Sequence, residues 1–540
     1  MRWNYADIYS VIATAIPNAP CQVQGGRTVT WAEFDRRSSA VAHAFLAAGL
    51  RPQAKIAVDL RNCPEVLEIY VACFKASLVP VNINYRYGHD ELMYVLSNCD
   101  AEAVVFQGCY AQTLAQCREE LSQLRYFVAV ADGSALPEWA DAYNELVKRS
   151  VDSKSEVVRS GDDSLLLYTG GTTGLPKGVV WRQDEVIRAL GTAGNFYLGQ
   201  PPAIDLNDVV RRLDRTGKRL FVACPLMHAT GLFTSLSMMN EGWAIETSVS
   251  EHFDPPALWR LVSDHHINGL VIVGDAFARP LLAELDADSS RYDLSSLRLI
   301  ISSGSKWSRS VRAALLKHLP WALLSDHYGS SEALAGVQTK STVEFIPEDG
   351  VISHSELLQM MDTDRRLLDT TVPGNSGALL MKGHLADGYY KDSNKSQATF
   401  LMIDGARYCV TGDYGVVEPD GKIRLLGRGS SVVNTGGEKV FPEEVEAVIR
   451  QHEAVADAAV IGLPDERFGQ VITAVVSLRK GAELDLSALA THVKRHLAAY
   501  KAPRELFVVD AIPHTAMGKI DYRACLAIVQ SLAIGRPARR

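Results

Sequence analysis

Between Thr30 and about Phe106, short apolar runs alternate one for one with segments whose apolar residues recur at helical spacing. The helical segments are Ala32–Ala48, Pro64–Ala76 (opened by its proline) and Glu91–Ser97; the apolar runs are Lys55–Leu60, Leu78–Asn82 and Ala103–Phe106. Few architectures accept that rhythm. Single helices between short, fully apolar strands predict a parallel sheet covered by helices on both faces. The pattern returns with strands at Leu220–Cys224, Gly269–Val273 and Leu297–Ser302 and helices at Pro256–His265 and Phe277–Leu285, which predicts a second doubly wound unit.

Between Thr371 and Leu426 the text changes to short strands with turn residues (Pro373-Gly374, Asp420-Gly421), as expected of a small β-rich module. After Gly427 a mixed unit follows. Its predicted elements are the helix Pro442–Gln451, strands Ala458–Gly462 and Val471–Leu478, the helix Ser487–Ala499 and the strand Glu505–Val509. The fold class is therefore α/β: a large N-terminal domain of two doubly wound subdomains plus a β-rich module (1–426), a hinge (427–431) and a smaller α+β C-terminal domain (432–540). A chain of 540 residues is too long for one compact core, which agrees with that division.

A net charge of −8 gives no support for a general nucleic-acid binder. The nine cysteines form no CxxC pair and mostly sit in apolar stretches, as expected of buried thiols in a reduced cytoplasmic protein. Met1–Pro20 lacks a basic segment followed by an apolar run, so no secretory signal is expected, and no run is long and apolar enough to span a bilayer.

The segment that carries most chemistry is Tyr168-Thr-Gly-Gly-Thr-Thr-Gly-Leu-Pro-Lys-Gly178, directly after the apolar strand Ser164–Leu167. Gly170, Gly171 and Gly174 let backbone approach an anion, while Thr169, Thr172, Thr173 and Lys177 supply donors for phosphate oxygens. It is not a Walker loop. That spacing would need glycine in place of Pro176 and Ser or Thr in place of Gly178.

This segment resembles the phosphate-binding loop of the adenylate-forming superfamily, which includes acyl-CoA synthetases. Further segments are similar in the same order, from about Val29 to Arg523. Pro225-Leu-Met-His-Ala-Thr-Gly231 resembles the wall of the acyl pocket, which implies that His228 lies near the reacting carboxylate. Ser303-Gly304-Ser305 falls where the family binds adenine, although Lys306 and Trp307 depart from its usual small residue and proline. Asp326-His327-Tyr328-Gly329-Ser330-Ser-Glu332 resembles the motif whose tyrosine stacks on adenine and whose glutamate holds magnesium. Thr411-Gly-Asp413 resembles the ribose-gripping motif, with Arg428 as a second nucleotide contact. Asn434-Thr-Gly436-Gly437-Glu-Lys439 resembles the loop that lines the pantetheine channel after domain rotation, Lys439 being a candidate for phosphates. Ser431 stands where many relatives carry a hinge aspartate. Pro513-His-Thr-Ala-Met-Gly-Lys519 resembles the segment bearing the adenylation lysine.

The resemblance implies an ATP-dependent ligase that joins a hydrophobic carboxylic acid to AMP and then to coenzyme A, with magnesium on Glu332 and Thr172. Small and apolar residues (Ala229 to Phe233, and Gly274 to Arg279 after a buried strand) suit a bulky apolar acid, in the manner of bacterial fatty-acid or steroid side-chain acyl-CoA synthetases. Amino-acid-activating relatives carry a Phe-Asp dipeptide after the histidine segment; here the chain runs Leu-Phe-Thr-Ser-Leu. Alternatives left open are a ligase that loads a carrier protein and a non-catalytic nucleotide- or lipid-binding relative. A homodimer is also left open.

Overall fold

The computed structural model describes residues 2–149, 157–169, 175–305, 307–334, 337–362, 364–428, 433–440, 442–513 and 520–533, without the side chains of 426–428, 439, 443, 447, 523 and 533. They form two compact units: the described residues of 1–85, 95–169 and 178–427, and those of 86–94, 170–177 and 428–540.

The first unit contains two eight-stranded sheets and a seven-stranded one. In one large sheet the strands Leu323–Tyr328, Leu299–Ser303, Gly269–Ile272, Arg219–Val222, Ala244–Thr247 and Pro20–Gln24 lie side by side, all parallel. Antiparallel strands Val337–Ser341 and Arg27–Thr30 close its two edges. Successive strand side chains face opposite sides, and the cores record this. Leu220, Val222, Val271, Leu299 and Ile301 join one core, whereas Phe221, Leu270, Ile272, Ile300 and Leu324 join another. Continuous apolar runs are what a sheet buried on both faces requires.

The other large sheet has the order Gly388–Tyr389, Lys177–Arg182, Ser164–Thr169, Val79–Asn82, Lys55–Asp59, Ala101–Gln107, Tyr126–Val130, Asp141–Ala142. The β-rich module is antiparallel throughout and wider than the expected 371–426, since Val351–Ile352 and Leu358–Met361 also join it. Its short segment Gly388–Tyr389 leaves to pair with Lys177–Arg182 of the second large sheet.

In the second unit a long antiparallel pair, Val455–Asp465 and Gly469–Leu478, is joined by Glu505–Val508 in parallel and by the hairpin Val433–Thr435/Glu438–Val440. Ala458 and Val460 face a core that includes the helices Pro442–Ile449 and Leu486–His496; Ala459 and Ile461 face another with Cys525 and Val529 of the helix Tyr522–Ala533.

Three sequence expectations change. The helix expected at Phe277–Leu285 runs from Gly274 to Asp288 and contains Pro280, so the segment Gly274–Arg279 forms its first turns. A helix over Ala229–Met239, whose apolar residues show no polar face, has only buried positions from Gly231 onward. All nine cysteines are free, but Cys109 is exposed and the other eight are buried.

Candidate active site

In the first sheet, the strand Arg219–Val222 has Ala244–Thr247 on one side and Gly269–Ile272 on the other. Chain order therefore reverses there, and it is beyond the carboxyl ends of the strands at such a reversal that open α/β sheets bind ligands. The segments singled out from the sequence leave from those ends: Cys224–His228, Ser303–Ser305 and Tyr328–Glu332.

Two asparagines, Asn62 partly buried and Asn82 buried, hold the first of these segments. Asn62 Nδ2 donates to the Cys224 carbonyl (2.9 Å), and its Oδ1 accepts from Leu226 N (2.7 Å). Asn82 Nδ2 donates to both the Tyr168 carbonyl (2.9 Å) and the Met227 carbonyl (2.8 Å), while its Oδ1 accepts from Tyr168 N. Asn82 thus ties the start of the phosphate-loop segment to the residue before His228. His228 then occupies the residue position at which Ala229–Met239 begins, without a capping hydrogen bond from its side chain. Gly231 is required by packing: a Cβ there would lie 2.6 Å from the Pro225 carbonyl oxygen.

Ser303 Oγ donates to the His327 carbonyl (3.1 Å). Gly304 adopts φ +85°, and a Cβ on it would sit 3.6 Å from Thr230 Oγ1, so the loop after Leu299–Ser303 meets the first turn of Ala229–Met239. Trp307 is a core residue, 2% exposed, which explains its departure from the family pattern as packing. Burial pushes the Asp326 carboxyl up to about 7, against the opposing effect of Arg312 and hydrogen bonds from His327 and Ser302. His327 is buried with its ring edge-on to Phe196 and Tyr197; its Nε2 lies 2.8 Å from Ser325 Oγ, and burial lowers its pKa to about 3. It is a neutral imidazole inside the protein.

Tyr328 and Asp413, 85 residues apart, meet. The Tyr328 hydroxyl lies 2.8 Å from Asp413 Oδ2 and 3.2 Å from Thr411 Oγ1, while Asp413 N donates to Thr411 Oγ1 (3.1 Å). Gly412 between them has φ +81°, the left-handed conformation that suits glycine. Ser330 Oγ accepts from the backbone N–H groups of Glu332 and Ala333 and shapes the turn after Gly329. Glu332 is held on three sides: Ala386 N donates to its carbonyl (3.1 Å), Trp181 Nε1 donates to the preceding Ser331 carbonyl (2.7 Å), and the Tyr389 hydroxyl donates to its Oε1 (2.7 Å). The second carboxylate oxygen of this half-buried residue remains as a hard ligand. Among the described residues no group of three or more His, Cys, Asp or Glu forms a metal cage. A lone carboxylate fits magnesium carried on phosphates, which takes one or two protein carboxylates.

Thr169 ends one strand and Lys177 opens its neighbour in the same sheet. The residues between that carry the phosphate-loop expectation, Gly170, Gly171, Thr172, Thr173 and Gly174, lie outside the described residues, as do Ser431 and Lys519; the side chains of Arg428 and Lys439 are likewise not described. Gly178 has its own reason for being glycine: a Cβ would meet the Tyr168 ring at 2.6 Å. Gly436 and Gly437 have φ +58° and +85° and form the two-residue turn of a hairpin in which Thr435 pairs with Glu438. That turn demands positive φ at both central positions, a requirement independent of any channel.

Sequence reasoning missed Asn62, Asn82, Trp181 and Tyr389. Asn82 had a readable signal, an amide closing a wholly apolar strand, since a buried amide needs partners. The others become visible only when strands distant in sequence are paired.

Residues 11–390 match the AMP-binding enzyme family, and residues 444–519 match the AMP-binding enzyme C-terminal domain. The chain is 34% identical to a 3-oxocholest-4-en-26-oate–CoA ligase of Rhodococcus rhodochrous, over 97% of this chain and 95% of that protein. It is 35% identical to a medium/long-chain-fatty-acid–CoA/3-oxocholest-4-en-26-oate–CoA ligase of Mycolicibacterium smegmatis, over 97% and 96%. Among solved structures, the amide bond synthetase McbA of Marinactinospora thermotolerans superposes with a TM-score of 0.79 at 21% identity, covering 97% of this chain and 99% of that one. The o-succinylbenzoate CoA synthetase MenE of Bacillus subtilis, as a double mutant, superposes with a TM-score of 0.77 at 22% identity, covering 96% and 97%. These two likenesses concern the fold.

Proposed function

The chain belongs to the AMP-binding enzyme family, and from that membership we propose that it is an AMP-forming acid–thiol ligase for hydrophobic carboxylic acids, with coenzyme A as acceptor. The observation that carries most weight is the meeting of Tyr328 with Asp413 beside Glu332, at the carboxyl ends of strands whose neighbouring loops present His228. An aromatic ring, a ribose-binding carboxylate and a metal-binding carboxylate are what an adenosine triphosphate needs from a protein.

A carboxylate is a poor electrophile, so the first step converts one of its oxygens into part of a leaving group. The acid attacks the α-phosphorus, forming acyl-AMP and expelling pyrophosphate. Both reactants are anionic, and the protein's task is alignment and charge neutralisation. Thr172, Thr173 and Lys177 hold the β- and γ-phosphates, Asp413 the ribose, Tyr328 the adenine, and Lys519 the carboxylate and α-phosphate as charge develops. Magnesium, when bound at Glu332, neutralises phosphate charge. The thiol then attacks the mixed anhydride and AMP leaves. The residues after 431 turn about the hinge between the two steps, withdrawing Lys519 and presenting Gly436 and Gly437.

The acid is a fatty acid or a steroid side-chain carboxylate. The activities by which the relatives are named agree. A reducing cytoplasm suits nine unpaired thiols. The test is isotope exchange between pyrophosphate and ATP with magnesium and a panel of fatty, aromatic and steroid acids, followed by coenzyme-A-dependent AMP release. Exchange with none of these acids would overturn the proposal.

A further inference from the structure

One corner of the first unit reaches two elements that are remote in sequence. Asn98 ends the helix His89–Asn98, and Asp100, at φ +54°, turns the chain into the strand Ala101–Gln107. Asn98 Oδ1 accepts from the Tyr168 hydroxyl, 70 residues on. Asp100 Oδ2 accepts from the Tyr390 hydroxyl (2.9 Å), 290 residues on, and its Oδ1 accepts from Lys391 Nζ (2.6 Å).

Each partner stands at the base of a group assigned above to the triphosphate. Tyr168 directly precedes the phosphate-loop segment. Its ring is 4% exposed and a Cβ on Gly178 would lie 2.6 Å from it, so the ring reaches from the strand that ends at Thr169 to the neighbouring strand that Lys177 opens. Tyr390 belongs to the short segment that holds Glu332. Its N–H donates to the Gly178 carbonyl (2.8 Å), while in the same segment the Tyr389 hydroxyl donates to Glu332 Oε1 and Ala386 N to the Glu332 carbonyl. Magnesium on a triphosphate takes phosphate oxygens and a carboxylate into one octahedral shell that tolerates little variation in distance. The loop and Glu332 must therefore keep a fixed spacing, and small misplacements are costly.

We propose that Asn98 and Asp100 are positioning residues for magnesium-ATP, bracing the phosphate loop and Glu332 against one corner and so fixing the spacing between them. They act through Tyr168 and Tyr390. The proposal rests on the ligase reading for the identity of the nucleotide site. Tyr168→Phe removes one link and keeps the ring against Gly178. Asp100→Gly removes the other, and glycine accepts φ +54° without strain. Calorimetric titration with magnesium and α,β-methylene-ATP, in the absence of any acid, should show each variant binding the nucleotide about five- to tenfold more weakly than wild type. The two links act in series, so the double variant should bind within about twofold of the weaker single variant. In EDTA no metal joins phosphate to carboxylate, and all four proteins should then bind the nucleotide within about twofold of one another. In pyrophosphate exchange the KM for magnesium-ATP should rise by the same factor as the calorimetric loss, with the KM for the acid held within about twofold.

Losses that multiply in the double variant would make the two links independent supports and overturn the proposal. A loss of equal size in EDTA would also overturn it, since the corner would then only stiffen the fold. Wild-type protein that binds no nucleotide would overturn the ligase reading and this proposal with it. Wild-type binding matched by the double variant within twofold would overturn the positioning role alone.

Discussion

Asn82 is a small residue with three obligations: one side chain satisfies the N–H and carbonyl of Tyr168 and the carbonyl of Met227. Asn82→Ala leaves those buried backbone groups unpaired and should destabilise the protein by about 2–4 kcal/mol. It should also lower kcat/KM in pyrophosphate exchange by at least tenfold, because the phosphate loop and the His228 segment lose their common tie. Urea denaturation and the exchange assay check the two effects separately. Tyr389→Phe removes the hydroxyl that donates to Glu332 Oε1 and also meets the Thr399 side chain. About 1 kcal/mol of orientation is at stake, so the KM for magnesium-ATP should rise about three- to tenfold with stability nearly unchanged. Glu332 itself was legible from its motif, whereas Tyr389 was not, since nothing near Gly388 signals that this short segment crosses to the sheet holding Lys177.

At the scale of elements, the hairpin around Gly436 and Gly437 shows one sequence feature serving two requirements. Gly437→Ala places a side chain at φ +85° and should cost about 1 kcal/mol, and Gly437→Val more. Denaturant titration of the full chain would read this, and an unchanged midpoint for the valine variant would contradict the turn geometry. The parallel strands were readable because burial on both faces makes them apolar throughout, and their alternate residues enter separate cores. The helix Ala229–Met239 was not, because a helix buried on all sides has no polar face to give it a period. The helix read at Phe277–Leu285 already ran through Pro280 and fell short only at its ends, Gly274–Ala276 and Asp286–Asp288.

For the whole molecule, two predictions concern protons and division of labour. Asp59 is 2% exposed, its Oδ1 has no partner among the described residues, and burial pushes its carboxyl from 3.8 up to about 7. A raised carboxyl pKa means the folded state holds a proton that the unfolded state has lost; the resulting stabilisation is complete below about 4 and disappears as pH rises through 7. The contribution of Asp59 to thermal stability should therefore fall between about pH 4 and 7 and level off above that, and Asp59→Asn should flatten that fall, as melting curves across the range would record. Lys519→Ala should abolish acyl-AMP formation yet still convert synthetic acyl-AMP to thioester; equal loss of both half-reactions would contradict a lysine that serves only the first. The sequence by itself determined the parallel α/β architecture, because burial periodicity is written in the chain, and it supplied the candidate site residues, because the phosphate, ribose and metal recognition proposed for them would each demand particular residue types at short spacing. Only the tertiary structure decided which side chains hold those residues in place. Asn62, Asn82, Trp181 and Tyr389 act across gaps of 86 to 164 residues or through a strand crossing between sheets, and such pairings exist only once the strands have found their neighbours.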